Sequence, residues 1–251
     1  MKKQLLKRDI LNILLLIIVM SASGCQWITM EDEQRIELDD KRYTINSTIL
    51  LQSLTQGSKD VFALRTATPP ATLQWSPTSV PWKQADLFFI TEAVHQVASG
   101  QSLDGWKLER MSFGTGCENI SVGWQVGDFV FFKTEHLSDM DSRLVHFIGI
   151  DSLRNVVDYA SRQELYQSFG EYPSLDLTKI KISAEQALQI AESAGGSKFR
   201  INNQDNCRVA INIESAGKYK GWYIAYFPTD ENERSFHIIV NEITGRYIII
   251  P

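Results

Sequence analysis

His146-Phe147-Ile148-Gly149-Ile150-Asp151 and, ninety residues further on, Phe236-His237-Ile238-Ile239-Val240-Asn241 are the stretches on which the fold turns. Each is a short run of apolar and β-branched residues closed by Asp or Asn, the pattern of a strand running into a turn. At the same offset Asn155 stands where the second copy has Gly245. These two residue types best tolerate a positive φ, so one turn is specified twice in different letters. Cys117 and Cys207 are also 90 apart, whereas Gly127 and Gly221 are 94 apart, so loops of different length lie between. The agreement reads as an internal duplication. Both halves run helix, loop, cysteine, three strands, turn, strand. The fold expected is α+β, with two similar units, each a helix packed on an antiparallel β-sheet, over residues 81–160 and 161–251.

The helices follow from spacing and caps. Leu87, Ile90, Val94 and Val97 recur at three, four and three before Gly100, one apolar stripe with a glycine stop. Ser161-Arg162-Gln163-Glu164 and Ser183-Ala184-Glu185-Gln186 both have the form of a capping box. The first predicts a short helix closed by Gly170, the second a helix through Ala187, Leu188, Ala191 and Ala194 that stops at Gly195-Gly196. Strands are expected at 120–124, 128–133, 144–150, 208–213, 222–227, 236–240 and 247–250. Residues 44–54 and 60–65 read equally as strand or short helix. Pro69, Pro70, Pro77 and Pro81 make 66–81 an extended connector, with Trp75 pinning it to a domain face.

The 251 residues are 43% hydrophobic and 22% charged, which excludes disordered, collagen-like and multi-pass membrane chains. A net charge of −5 leaves no basic footprint for nucleic acid. The front of the chain carries an address. Lys2, Lys3, Lys7 and Arg8 precede Ile10–Met20, apolar except for Asn12. Eleven helical residues reach about 16 Å, roughly half of a ~30 Å hydrocarbon core, so the run reads as a secretory h-region. Ala22-Ser23-Gly24-Cys25 follows and resembles the lipobox of bacterial lipoproteins, with Ala where Leu is more typical. That resemblance implies a signal peptide at 1–24, acylation of Cys25, and membrane attachment through its N-terminal acyl chains. Gln26 implies sorting to the outer membrane, facing the periplasm, in a two-membrane host. Removing residues 1–24 takes away four cations and one anion and moves the net charge to −8. Residues 25–80 are then expected as a lipidated tether and connector, with Glu31, Asp32, Glu33, Asp39 and Asp40 as its solvated acidic stretch.

Ile182–Ala191, then Gly221–Tyr226, then Ile239–Ile248 with Asn241-Glu242-Ile243-Thr244-Gly245, resemble a PepSY-type domain over about 180–250. Asn241 takes the place of the usual Asp; either side chain can close the turn on nearby backbone. The first half is a more distant copy without the Thr-Gly. The resemblance implies a helix on an antiparallel sheet, serving as a binding or inhibitory module without catalysis of its own.

Little in the chain speaks for chemistry. Once Cys25 is acylated, Cys117 and Cys207 remain, and an oxidising envelope favours their pairing; two buried thiols or a metal pair are the alternatives. No CxxC or Cys/His cluster supports zinc. Of His95, His136, His146 and His237, the last two sit in apolar strand runs as ordinary hydrogen-bonded or half-exposed residues. Gly114-Thr115-Gly116 reads as a turn rather than a phosphate cradle, and no Gly-x-Ser-x-Gly elbow occurs. Asp139 and Asp141 in a 136–142 loop, with Asp230, Glu231 and Glu233, read as solvated hairpin tips. Trp222, Tyr223, Tyr226, Phe227, Phe129, Phe131 and Phe132 read as sheet core facing a helix. No catalytic residue, cofactor or metal is expected. The expected function is a non-enzymatic envelope lipoprotein that binds an unknown envelope protein or peptide. An immunity lipoprotein, whose charge suits a basic toxin, and an enzyme with a dispersed site are the alternatives.

Overall fold

The computed structural model describes residues 34–45, 62–64, 82–136, 141–166, 172–216, 220–230 and 234–250. Cys25, the expected leader, Trp75 and the Pro-rich stretch 66–81 lie outside them. In chain order the elements are β1 (Gln34–Ile45), β2 (Phe62–Leu64), α1 (Gln84–Ser99), β3 (Lys107–Gly116), β4 (Val126–His136), β5 (Asp141–Asp151), β6 (Val156–Tyr166), α2 (Ala184–Ala191), a π turn (Glu192–Gly196), α3 (Ser197–Asn202), β7 (Cys207–Glu214), β8 (Trp222–Pro228), β9 (Phe236–Val240) and β10 (Tyr247–Ile250).

The architecture corrects the expected fold class. The strands form one continuous sheet in the order β10-β9-β8-β7-β3-β4-β5-β6-β1-β2, every pair antiparallel. The protein is mainly β and is not built as two helix-on-sheet units. Two separate four-strand meanders would each leave two rows of unpaired backbone groups at their edges. Here β3 and β7 satisfy one edge of each other, from Arg110↔Glu214 to Gly116↔Arg208.

The helices lie on one face of the sheet and share one core. Leu87, Ile90 and Val94 of α1 are buried and Gly100 takes φ 72° as the C-cap, as the spacing predicts. In α2 the Ser183 hydroxyl accepts the Gln186 N–H at 3.3 Å while Gln186 accepts the Ser183 N–H at 2.9 Å. Ala184, Ala187, Leu188 and Ala191 are its buried face. The expected stop at Gly195-Gly196 is instead a π turn, with Gly195 at φ 144°, and α3 continues the helical path. Asn155 at φ 53° and Gly245 at φ 69° both take the left-handed conformation their residue types allow. Asn241 Oδ1 accepts the N–H groups of Ile243 and Thr244 at 3.2 and 2.8 Å, the closure expected of an Asx side chain.

Four other local expectations give way. Ser161–Glu164 is part of β6 and not a helix. Arg143 lies opposite Glu164 in the register and contacts its carboxylate at 2.6 Å, while Arg162 reaches the other oxygen at 2.6 Å. Glu164 is fully buried by this clasp on the sheet face away from the helices. There Phe132, Val130 and Val145 form a second cluster with Phe147 and Tyr172, and the Arg143 guanidinium lies over Phe132 and Tyr172. Asp39 and Asp40 belong to β1, which pairs with β6 along its length across a register shift at Glu37/Asp39, so Gln34–Arg42 is sheet and not tether. Gly114–Gly116 continues β3 as strand and not as a turn. A Cβ on Gly114 would come within 2.8 Å of Val126, so the glycine serves close strand packing. The expected strand at 120–124 does not form: after a 3₁₀ turn over Cys117–Asn119 the chain turns through 120–122 and reaches a bridge between Trp82 and Trp124.

Cys117 and Cys207 are bonded, with Cα atoms 5.3 Å apart. Cys117 follows the end of β3 and Cys207 opens β7. They meet because those strands run in opposite directions. Closing a loop of about 90 residues is worth roughly 4 kcal/mol in the chain-entropy picture. The double variant Cys117→Ser/Cys207→Ser should therefore lose up to about 4 kcal/mol in urea unfolding; a loss below about 1 kcal/mol would show that the staple contributes little beyond the β3–β7 ladder.

Candidate functional site

The start of α1 and the start of α2 converge, and each helix caps the other. The Gln84 N–H donates to Glu185 Oε1 at 2.7 Å, and the Ala184 N–H donates to Gln84 Oε1 at 2.7 Å. The Trp124 indole N–H joins Glu185 Oε1 at 2.8 Å and the Ser183 hydroxyl donates to Oε2 at 2.9 Å. The orphan N–H group of each start is thus answered from the other helix, that of Gln84 by the Glu185 carboxylate and that of Ala184 by the Gln84 amide oxygen. Burial pushes the Glu185 carboxyl up, but the Gln84 N–H, the Trp124 indole and the Ser183 hydroxyl outweigh it and hold the group below its ordinary value.

Two clefts flank this clamp. One, of about 580 Å³, is walled by Phe88, Phe89, Leu177 and Ile180. The other, of about 550 Å³, is walled by Val122, Trp124, Leu188, Glu192 and Arg200. Lys83 and Glu185 line both. Glu192 is engaged as well: Tyr226 donates to Oε1 at 2.7 Å, and Arg200 donates to Oε2 at 2.6 and 2.9 Å. Arg200 also reaches Asp205 at 2.5 Å. Burial, then the bond to Glu192, drives the Tyr226 hydroxyl well above its ordinary pKa, so it acts as a fixed donor. A Cβ at Gly196 would strike that hydroxyl, which ties the π turn to this network. The result is apolar walls along a polar seam with Lys83 exposed on it.

A second polar group is enclosed between α1 and the sheet. His95 Nδ1 lies 3.0 Å from the Gln101 carbonyl, His146 Nδ1 lies 2.9 Å from His95 Nε2, and the Tyr159 hydroxyl lies against the His146 ring, 3.2 Å from Nε2 and 3.3 Å from Nδ1. A carbonyl can only accept, so His95 Nδ1 carries its hydrogen and each later donor follows in turn. Burial, then the neighbouring His95, lowers the His146 pKa to about 3; burial lowers that of His95, opposed by the Gln101 bond.

The residues singled out from sequence fall in different places. Cys117 and Cys207 meet; Cys25 lies outside the described residues. His237 is on the outer sheet face, 2.6 Å from the Tyr223 hydroxyl, far from the His146 group. Trp222, Tyr226, Phe129 and Phe131 are in the main core. Phe132, Tyr223 and Phe227 alternate to the opposite face, where Phe227 is 43% exposed, so the aromatic set does not form one core facing a helix. Asp141 opens β5 and is buried, not a loop tip; Asp139, Glu231 and Glu233 lie outside the described residues. Among the described residues no group of three metal-ligating side chains occurs. The pairing of His95 with His146 was not foreseen. Its one signal is that His95 stands four after Thr91 and eight after Leu87, on the buried stripe of α1.

No protein-family model matches the chain, and no curated protein matches it. Among solved structures, a 12:0-ACP thioesterase from Umbellularia californica is similar at 6% identity and a TM-score of 0.21, over 72% of this chain and 92% of that one. The full-length peroxisomal multifunctional enzyme type 2 from Drosophila melanogaster is similar at 11% identity and a TM-score of 0.20, over 92% of this chain and 51% of that one. At those scores neither informs the fold or the activity.

Removing the shared carboxylate should uncouple the helix starts. Glu185→Ala leaves the Gln84 and Trp124 N–H groups without their acceptor and should lose roughly 2–4 kcal/mol in urea unfolding, with Glu185→Gln losing less because its amide oxygen still accepts. Because the folded carboxyl titrates below the ordinary value, its stabilisation is present above that range and is lost as pH falls through it. The gap between wild type and Glu185→Gln should narrow in acid. Equal stability of all three proteins at neutral pH would remove the clamp from the account.

Proposed function

We propose that the protein is an exported lipoprotein, held at a membrane by acyl chains on Cys25, that acts as a non-catalytic binding module for an envelope protein or peptide. The observation that carries the reading is the bonded Cys117–Cys207 pair in a chain whose front joins a basic n-region, an apolar run and Ala22-Ser23-Gly24-Cys25. Disulfides persist in oxidising compartments outside the cytosol, and the leader is of the kind that directs a chain there. Among the described residues no helix is long and apolar enough to cross a membrane.

Two features support binding. The clefts at the helix starts pair apolar walls with a polar seam, the usual make-up of a recognition groove. The edge strand β10 has no partner on its outer side among the described strands, and its Tyr247, Ile248 and Ile249 are exposed. An unpaired apolar edge is the kind that accepts an added strand.

Mass spectrometry of the protein extracted from membranes of its host should find an N-terminus at Cys25 carrying acyl groups, and Cys25→Ser should leave the chain unacylated with its leader uncut. A chain beginning at Met1 with a free Cys25 thiol, recovered from the cytosol, would sink the reading. For the binding half, photo-crosslinking from Phe89 or Val122 in intact cells should give discrete adducts with another envelope protein, whereas adducts with lipid alone would refute it.

A further inference from the structure

His95 and His146 sit where three elements meet. His95 is in the penultimate turn of α1, His146 is in the middle of β5, and Tyr159 is in β6. From β1, Lys41 ties in by donating to the Ala98 carbonyl at the end of α1 at 2.8 Å, and it pairs with Asp39 at 2.5 Å. Both imidazoles are almost without solvent contact, at 0% and 3% exposure. Among the described residues, the charged groups facing the pair are Asp39 and Lys41, which lies over the Tyr159 ring, both from β1. β6 presents the Tyr159 hydroxyl, β4 only the Phe131 ring, and the connection after α1 the Trp106 ring. The acidic and basic side chains of α1 itself, Lys83 before it included, do not belong to its buried face.

The hydrogen-bond chain is complete only while both rings are neutral. A first added proton enters at His146 Nε2, beside the Tyr159 hydroxyl. It puts a cation in a dry site where Asp39 is already engaged by Lys41; the Trp106 ring, 4.0 Å from that of His146, returns part of the cost. A second proton, on His95 Nε2, sets one N–H against another at 2.9 Å, and the contact cannot persist. Both rings are held below the ordinary histidine value by burial. Stability tied to them is therefore full above about pH 6.5 and is lost progressively as pH falls below it.

We propose that the His95–His146 pair is an acid-operated latch: it holds the C-terminal half of α1 against β5 and β6 near neutrality, and proton uptake releases that half with the connection to Trp106. The disulfide and the β3–β7 ladder lie outside the released part, so the opening is local.

Hydrogen exchange of the full-length protein at pH 7.5 and pH 4.5, corrected for intrinsic rates, tests this. Residues 92–106 should open about 100-fold more at the lower pH for each histidine that must charge, while β7 and β8 keep their protection. The variant His95→Gln/His146→Asn keeps an acceptor and a donor near the positions of Nε2 and Nδ1 but cannot titrate, and it should lose the pH response. Should that variant not fold, imidazole NMR of the wild type decides: both rings should titrate well below 6.5, together with the loss of protection at 92–106. Protection unchanged at pH 4.5, loss of equal size in every strand, or imidazoles titrating near 6.5 would overturn the proposal.

Discussion

The pairing of β3 with β7 is the contact on which the rest of the molecule depends. Each strand begins a four-strand meander, β3 to β6 on one side and β7 to β10 on the other. Without that ladder the two meanders would be separate small sheets with exposed edges. With it, α1 and α2 lie over one face and share a single core running from Leu87 and Phe129 to Trp222 and Ile238. The Cys117–Cys207 bond sits beside the last pair of the ladder, Gly116↔Arg208. Backbone pairing and covalent staple thus act at the same seam.

Around that seam the protein places its polar groups in closed sets. Glu185 answers the start of α1 and the Trp124 indole, while Gln84 answers the start of α2. Glu192 collects Tyr226 and Arg200. Glu164 is clasped by Arg143 and Arg162 on the opposite face. A buried carboxylate left alone is severely penalised, and one with several donors fixes the geometry of everything that donates to it. These sets orient the surfaces around them. The histidine chain differs in kind, because its members are neutral groups in a dry site that can take up protons.

How much of this can be read from the residues depends on whether the deciding contact is local. The α1 stripe of Leu87, Ile90 and Val94, the Ser183–Gln186 cap, the turns at Asn155 and Gly245, and the strands at 144–150, 208–213, 222–227, 236–240 and 247–250 all follow from spacing and backbone preference within a few positions. Ser161–Glu164 has the same capping-box form as Ser183–Gln186 yet is a strand. Its outcome rests on Arg143, eighteen or more positions earlier in the chain. The acidic run through Asp39 and Asp40 has the composition of a tether, but β6 had a free edge for it to fill.

The candidate site was still less legible. Gln84 and Glu185 are 101 positions apart, and His95 and His146 are 51 apart. No pattern along the chain links residues at such separations. Periodicity, caps and turn residues specify elements because their energetics are settled over three to four neighbours. Which edges join, which carboxylate meets which helix start and which histidines share a proton are settled by non-local burial and pairing, and those exist only once the sheet has closed around its central ladder.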